Sequence, residues 1–316
     1  MRSASSISLP WLDKLHEDFT LLSIRLTQDI DVSFFAPYEG LYAQANALTR
    51  KYAGKALTDC RVLEIGYGTR PLRMLWLAHH GVDVHGVDLD FPLLRFSSGR
   101  LLAMAKTNGI ERALKSAVRY AVVDRRQYQA MRDTLVERAV LKPDVPFWGN
   151  FPSRLTVQNA ADPAFWADAG KFDFIYSVDV FEHIPRPQVE AIAKALPNAL
   201  APNGVALIRP DLFTGISGSH RPEWYKERLG ETFTRKAAPW DHLRQNRYPA
   251  NSYLNGMRLS EYDEIFATHL TIAERNPIDY GLGREYLTPE VRAELEDYSE
   301  DELLINNIDY ILTRKS

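Results

Sequence analysis

The sequence predicts an α/β fold on a mostly parallel, doubly wound sheet. Three observations carry that expectation. Residues 61–65 and 82–87 are short runs of β type, and the helical stretch 72–80 lies between them. Gly66 and Gly68 close the first run, and Asp88 closes the second. The order strand, glycine turn, helix, strand, acid opens such a sheet. The alternation then resumes further along the chain, at 155–157, 172–178 and 205–208.

The elements follow in order. Residues 10–53 read as helical, with Trp11, Leu12, Leu15, Phe19, Leu22 and Ile24 on an apolar face and a turn at 37–40. Pro71 suits a first helical turn, where its missing N–H costs nothing, and Gly81 suits a helix stop. Residues 91–154 interrupt the alternation as a helical insertion that holds twelve Lys/Arg against five Asp/Glu. They close on the loop residues Pro143, Pro146, Gly149 and Pro152. Residues 187–200 read as an amphipathic helix, stopped by Pro202-Asn203-Gly204. The uniformly apolar run 205–208 reads as a buried strand. Residues 211–258 are polar and aromatic-rich with little periodicity. A helix is expected from Ser260, as its cap, to Leu270, and a last strand at 308–312.

Composition narrows the function. The 316 residues are 45% hydrophobic with a net charge of −3, so the global balance gives no support for a nucleic-acid binder. One cysteine, Cys60, excludes an intramolecular disulfide or a cysteine zinc cluster. No run approaches the roughly 18 apolar residues of a membrane span. The first ten residues lack the apolar core of a secretory signal, so a cytoplasmic protein is expected.

The chemistry centres on Glu64-Ile65-Gly66-Tyr67-Gly68. Glycines admit unusual backbone angles and close approach of a ligand, and the helix that follows offers free N–H groups. Asp88 can accept bonds from both ribose hydroxyls of a nucleoside. The dinucleotide fingerprint needs a third small residue, but Pro71 stands there. Glu64 would also repel a pyrophosphate and suits a cationic ligand.

These residues resemble the first motif of class I S-adenosylmethionine-dependent methyltransferases, an acid followed by G-x-G-x-G. Residues 61–69 match it, except that Arg70 stands at the third glycine. Gly86-Val87-Asp88 looks like the family's ribose acid, and Asn159-Ala160-Ala161-Asp162 like the element that frames adenine. Residues 172–184 resemble the fourth motif of small-molecule methyltransferases, and 200–205 the turn before strand five. The resemblance implies a Rossmann-like, seven-stranded, mostly parallel sheet with helices on both faces. To it would be added an N-terminal helical lid (1–56) and a methyltransferase domain (57–316). That domain would carry the insertion 91–154 after the second strand and a substrate-binding region, 211–258.

The cofactor implied is S-adenosyl-L-methionine, held by Glu64, Gly66, Tyr67, Gly68, Arg70, Asp88, Leu89, Asn159, Ala160, Asp162 and Asp179. Arg70 would pair the cofactor carboxylate or the acceptor, or point to solvent. His183, His220 and His242 are the candidate bases for a hydroxyl acceptor. The expected activity is O-methylation of a small-molecule or glycan acceptor. Aromatic and cationic residues at 220–225, 240–244, Tyr248 and Tyr253 suit a sugar or planar acid, and residues 253–261 look like a segment of methyltransferases near surface-glycan pathways.

Two alternatives stay open. Asp179-x-x-Glu182-His183 is similar to the Glu-x-x-Glu-His magnesium site of small-RNA 2′-O-methyltransferases, and His220 could complete it. The leading reading needs no metal. The third reading is a cofactor-binding scaffold without catalysis.

Overall fold

The computed structural model describes residues 19–20, 22–23, 26, 30, 32–224, 237–244, 250 and 253–315. Seven strands form one sheet: β1 (Arg61–Ile65), β2 (Asp83–Asp88), β3 (Leu155–Val157), β4 (Phe172–Val178), β5 (Leu200–Arg209), β6 (Thr271–Pro277) and β7 (Ile308–Thr313). Their order is β3-β2-β1-β4-β5-β7-β6. β1 runs parallel to β2 and β4, and β2 parallel to β3, whereas β6 is antiparallel to β7. The Rossmann-like sheet expected from the glycine turn and the strand rhythm is therefore present.

Helices fill the connections: α1 (Ala36–Leu48), α2 (Leu72–His79), α3 (Ser98–Asn108), α4 (Ile110–Arg119), α5 (Arg125–Glu137), α6 (Pro163–Ala169), α7 (Arg186–Ala199), α8 (Leu259–His269), α9 (Pro289–Glu294) and α10 (Glu300–Leu304). The insertion between β2 and β3 is α3, α4 and α5, with a π turn at Tyr120–Asp124 joining the last two.

The chain divides into two compact units. Residues 25–176 with 195–206 form one, and residues 177–194 and 207–315 belong to the other. In the first, the strand residues Val62, Leu63, Val84, Val87, Phe174 and Ile175 are essentially inaccessible. The N-terminal helical layer packs on α2, with Phe35 stacked on Trp76 at 5.4 Å between ring centres. Asn46 on α1 accepts the Leu57 N–H at 3.0 Å and ties that layer to the approach to β1. In the second unit, Tyr262 and Phe266 of α8 pack on Tyr310 of β7. Arg209 donates to both oxygens of buried Asp309, at 2.6 and 2.9 Å.

Several sequence expectations are corrected. β5 begins at Leu200, so Pro202-Asn203-Gly204 lie within its first half rather than ahead of it. The helix expected from Ser260 begins at Leu259, and the Glu261 carboxylate accepts the Arg258 N–H at 2.8 Å, so Ser260 is not its cap. β6 has no counterpart in the sequence reading. Trp11, Leu12, Leu15, Ile24, Tyr225 and Tyr248 lie outside the described residues. Among the described residues no helix is long and apolar enough to cross a membrane.

Candidate functional site

The glycine turn after β1 forms a cradle. Gly66 and Gly68 hold φ of +84° and +66°, the left-handed region that favours glycine. A side chain added at Gly68 would meet nothing within 4 Å, so space for a ligand lies above the turn. Asp88, ending β2, is oriented by two backbone donors. Gly68 N–H reaches its Oδ2 at 2.7 Å and Asp90 N–H its Oδ1 at 2.6 Å. Each oxygen keeps a further lone-pair direction, the pattern a ribose diol requires. Burial pushes the Asp88 carboxyl up to about 6 against the pull of those N–H groups. The ribose hydroxyls of a nucleoside cofactor can donate to this oriented carboxylate.

Glu64 has a different environment from the one expected of a residue facing a ligand's cation. Its side chain is fully buried, Arg73 Nε donates to Oε1 at 2.8 Å, and the Tyr176 hydroxyl donates to Oε2 at 2.8 Å. Burial raises its carboxyl, and Arg73 and Tyr176 oppose that rise. The charge is thus compensated within the protein. Neither partner is signalled by local spacing: Tyr176 is brought by register, since it is the β4 residue paired with Glu64 of β1, and Arg73 sits on α2.

Tyr67 is also turned inward, its hydroxyl donating to Thr156 O at 3.0 Å. Its ring explains Gly86, where an added Cβ would lie 2.7 Å from Tyr67 Cδ1 and 2.4 Å from Met74 Sδ. Leu89 is exposed. Asn159 Oδ1 accepts the Ala161 N–H at 2.8 Å, and Asp162 Oδ1 accepts the Ala164 N–H at 2.9 Å as the cap of α6. Trp166 Nε1 donates to Ala160 O at 2.7 Å. These bonds fix the turn that carries Asn159 and Ala160.

Arg70 points to the insertion, a possibility the sequence left unconsidered. Its guanidinium donates to Gln127 Oε1 and lies 3.7 Å from Asp124 Oδ1. Asp124 is fully buried and pairs with Arg119 Nε at 3.1 Å, while the other end of Arg119 donates to Thr69. The π turn carries Asp124 inward between two arginines. The insertion is thereby bonded to the glycine turn at Thr69 and Arg70.

The second unit carries the histidines. Asp179 follows β4 with φ of +58°, its N–H donating to Arg209 O at 2.9 Å. The turn Phe181–His183 then presents Glu182, which is 1% exposed. Its Oε1 lies 3.7 Å from His183 Nε2 and 3.6 Å from His220 Nε2. Asp211 Oδ2 lies 3.5 Å from the same His220 nitrogen. The Nδ1 atoms face carbonyls, Tyr253 O at 3.0 Å and Gly218 O at 3.3 Å. Both Nε2 atoms are therefore directed at Glu182. Burial lowers the His220 pKa, but Glu182 and Asp211 outweigh it and the net direction is up. Asp211 was not foreseen; as an isolated acid after β5 it carried no signal.

His242 has a structural environment. It is buried, its Nε2 is 2.8 Å from Phe213 O, and burial drives its pKa down to about 4. Among the described residues, Glu182, His183 and His220 form a group able to hold a metal ion, with ligand atoms within 4.8 Å of one another. Asp179, first in the sequence pattern, is not part of it.

A family model described as "Methyltransferase domain" matches residues 39–268, more than two thirds of the chain. The chain belongs to this family. It is an S-adenosylmethionine-dependent methyltransferase, with the sheet order and glycine turn described above. Solved structures resemble it at low identity. The protein PH0226 from Pyrococcus horikoshii is 13% identical over 91% of this chain and 94% of its own, with a TM-score of 0.41. The CcbJ methyltransferase from Streptomyces caelestis is 14% identical over 87% and 90%, with a TM-score of 0.42. An S-adenosylmethionine-dependent methyltransferase from Clostridium acetobutylicum is 13% identical over 97% and 100%, with a TM-score of 0.41. No curated protein sequence matches the chain.

Proposed function

We propose that this methyltransferase methylates an oxygen of a small-molecule or glycan acceptor, with His220 as the base. The observation that carries this reading is His220 Nε2 lying 3.5–3.6 Å from Asp211 and Glu182, two buried carboxylates. A hydroxyl acceptor must lose its proton as the new O–C bond forms, and a positioned imidazole is the usual recipient. Burial, with the charges of Asp179 and Glu182, pushes the Asp211 carboxyl well up, so the Glu182 carboxylate is the one that stabilises the imidazolium that results. His183, half-exposed beside it, orients the acceptor. His242, held neutral on Phe213 O, keeps the loop in place and takes no proton.

When bound, S-adenosylmethionine supplies a sulfonium methyl group for in-line displacement. The chain holds it through the Gly66–Gly68 turn and Asp88 at the ribose, with Leu89, Asn159 and Ala160 around the adenine. Glu64, Tyr67, Arg70 and Asp162 act behind that surface by fixing the turns. The test is a methyl-transfer assay against sugars, phenols, carboxylic acids and RNA. His220→Ala should lower kcat by about 10²–10⁴-fold while cofactor affinity stays unchanged. Full activity in that variant would overturn the assignment of the base.

The Glu182, His183 and His220 group favours a second reading, metal-assisted transfer, in which His220 is a ligand. Loss of activity in EDTA, restored by magnesium or manganese, would select it over the first reading.

A further inference from the structure

The insertion carries an unusual helix face. α4 packs Ala113 against Leu93 and Met104, buries Ser116, and turns Ile110, Leu114 and Val118 outward at 72, 64 and 57% exposure. Spacing of four residues aligns the three in one stripe along the helix. Leu102 of α3 and Phe96 before it are each 58% exposed. Small residues on the buried side and large aliphatics on the open side invert the ordinary surface helix. Such a concentration of exposed apolar side chains marks an interaction surface.

Charge identifies the partner. Residues 91–119 hold six Lys/Arg against one acid, Glu111, within a chain whose net charge is −3. Arg112 and Lys115 flank the stripe on α4 with about half of each side chain exposed, Arg112 paired with Asp90 and Lys115 lying 3.1 Å from the exposed Glu111. Arg95 and Lys106 are exposed nearby. An apolar stripe bordered by cations matches an anionic lipid surface, where aliphatic groups enter the headgroup boundary and cations meet phosphates. A second copy docking by two-fold symmetry would oppose like charges. RNA would satisfy the cations and leave the aliphatic stripe without a partner.

We propose that the α3–α4 face of the insertion docks this protein on anionic membrane surfaces. The face is bonded to the cofactor-binding loop, since Arg112 pairs with Asp90 and Arg119 donates to Thr69. Docking therefore brings the cofactor cradle to the lipid surface. The inference is independent of which acceptor atom is methylated.

Sedimentation of the full-length protein with vesicles of phosphatidylcholine alone, or with added phosphatidylglycerol, tests it. Binding should require the anionic lipid and weaken with salt. The triple variant Ile110→Ser, Leu114→Ser, Val118→Ser should bind at least about tenfold more weakly. Lys106→Gln and Lys115→Gln should each weaken binding about fivefold. All five positions are exposed, and an unchanged circular-dichroism melt checks folding. If the triple variant does not fold, the lysine variants and the lipid dependence still decide. No vesicle sedimentation by the wild type overturns the proposal. So does a dimer that the triple variant dissociates without any vesicle binding, or RNA binding through the same lysines without vesicle binding.

Discussion

Asp124→Ala tests the bonding of the insertion to the cofactor turn. The side chain has no exposure, and it lies 3.1 Å from Arg119 Nε and 3.7 Å from Arg70 Nε. Removing it leaves two guanidinium groups close together with no opposite charge between them. Breaking a buried ion pair in this way costs about 3–5 kcal/mol. Arg70 and Arg119 retain 23 and 20% exposure, so water can recover part of the loss and the low end, about 3 kcal/mol, applies. With an unfolding entropy of about 2.1 cal/mol/K per residue over 316 residues, the melting temperature should fall by about 4–5 °C. Thermal and urea unfolding measure the loss, and calorimetry of S-adenosylmethionine binding shows whether Thr69 and Arg70 have loosened. Adding Arg119→Met to Asp124→Ala should recover part of the stability, because one unpaired charge disappears. A single variant within about 0.5 kcal/mol of wild type, the range of an ordinary surface substitution, would refute the reasoning.

Two further outcomes follow from the same geometry. Tyr176→Phe removes the hydroxyl that donates to buried Glu64 at 2.8 Å; a bond to a charged group is worth about 1.5–3 kcal/mol, so the urea midpoint should drop accordingly with unchanged slope. Cofactor affinity should fall on acidification, because Asp88 accepts ribose hydroxyls only as the carboxylate and its pKa is pushed up to about 6; between pH 7 and pH 5 the loss should be about tenfold by calorimetry, and Asp88→Asn should flatten that dependence.

The sequence made β1, β2 and β4 legible because each is a short run rich in Val, Ile, Leu or Phe with punctuation at its end. The glycine turn and Asp88 were equally readable, since unusual backbone angles and a carboxylate at a strand end have few substitutes. β6 was not readable. Its residues, Thr271 to Pro277, are mostly exposed and polar, and pairing with β7 alone makes them a strand. Glu64 looked like a ligand contact because its partners come from register and from the next helix, which no local spacing reveals.

Arg70 illustrates the same gap. A cation at a helix start reads as solvent-facing or ligand-facing, yet Asp124 and Gln127 claim it from more than fifty residues away. Glu182 and His183 are adjacent in the chain and could be paired from sequence. His220 could be joined to them as a later histidine completing that pattern, whereas Asp211 could be joined only through the fold. His242 has the same residue type as His220 but is buried on a carbonyl, and burial, invisible in the sequence, separates their chemistry.

Asp88, set by Gly68 and Asp90, is the residue proposed to hold the ribose of S-adenosylmethionine. Isothermal titration of that cofactor into wild type and Asp88→Ala at pH 7.5 tests it most directly. The wild type should bind measurably and the variant should lose at least about a hundredfold, as two hydroxyls lose a charged acceptor. Equal affinity in both proteins would contradict it.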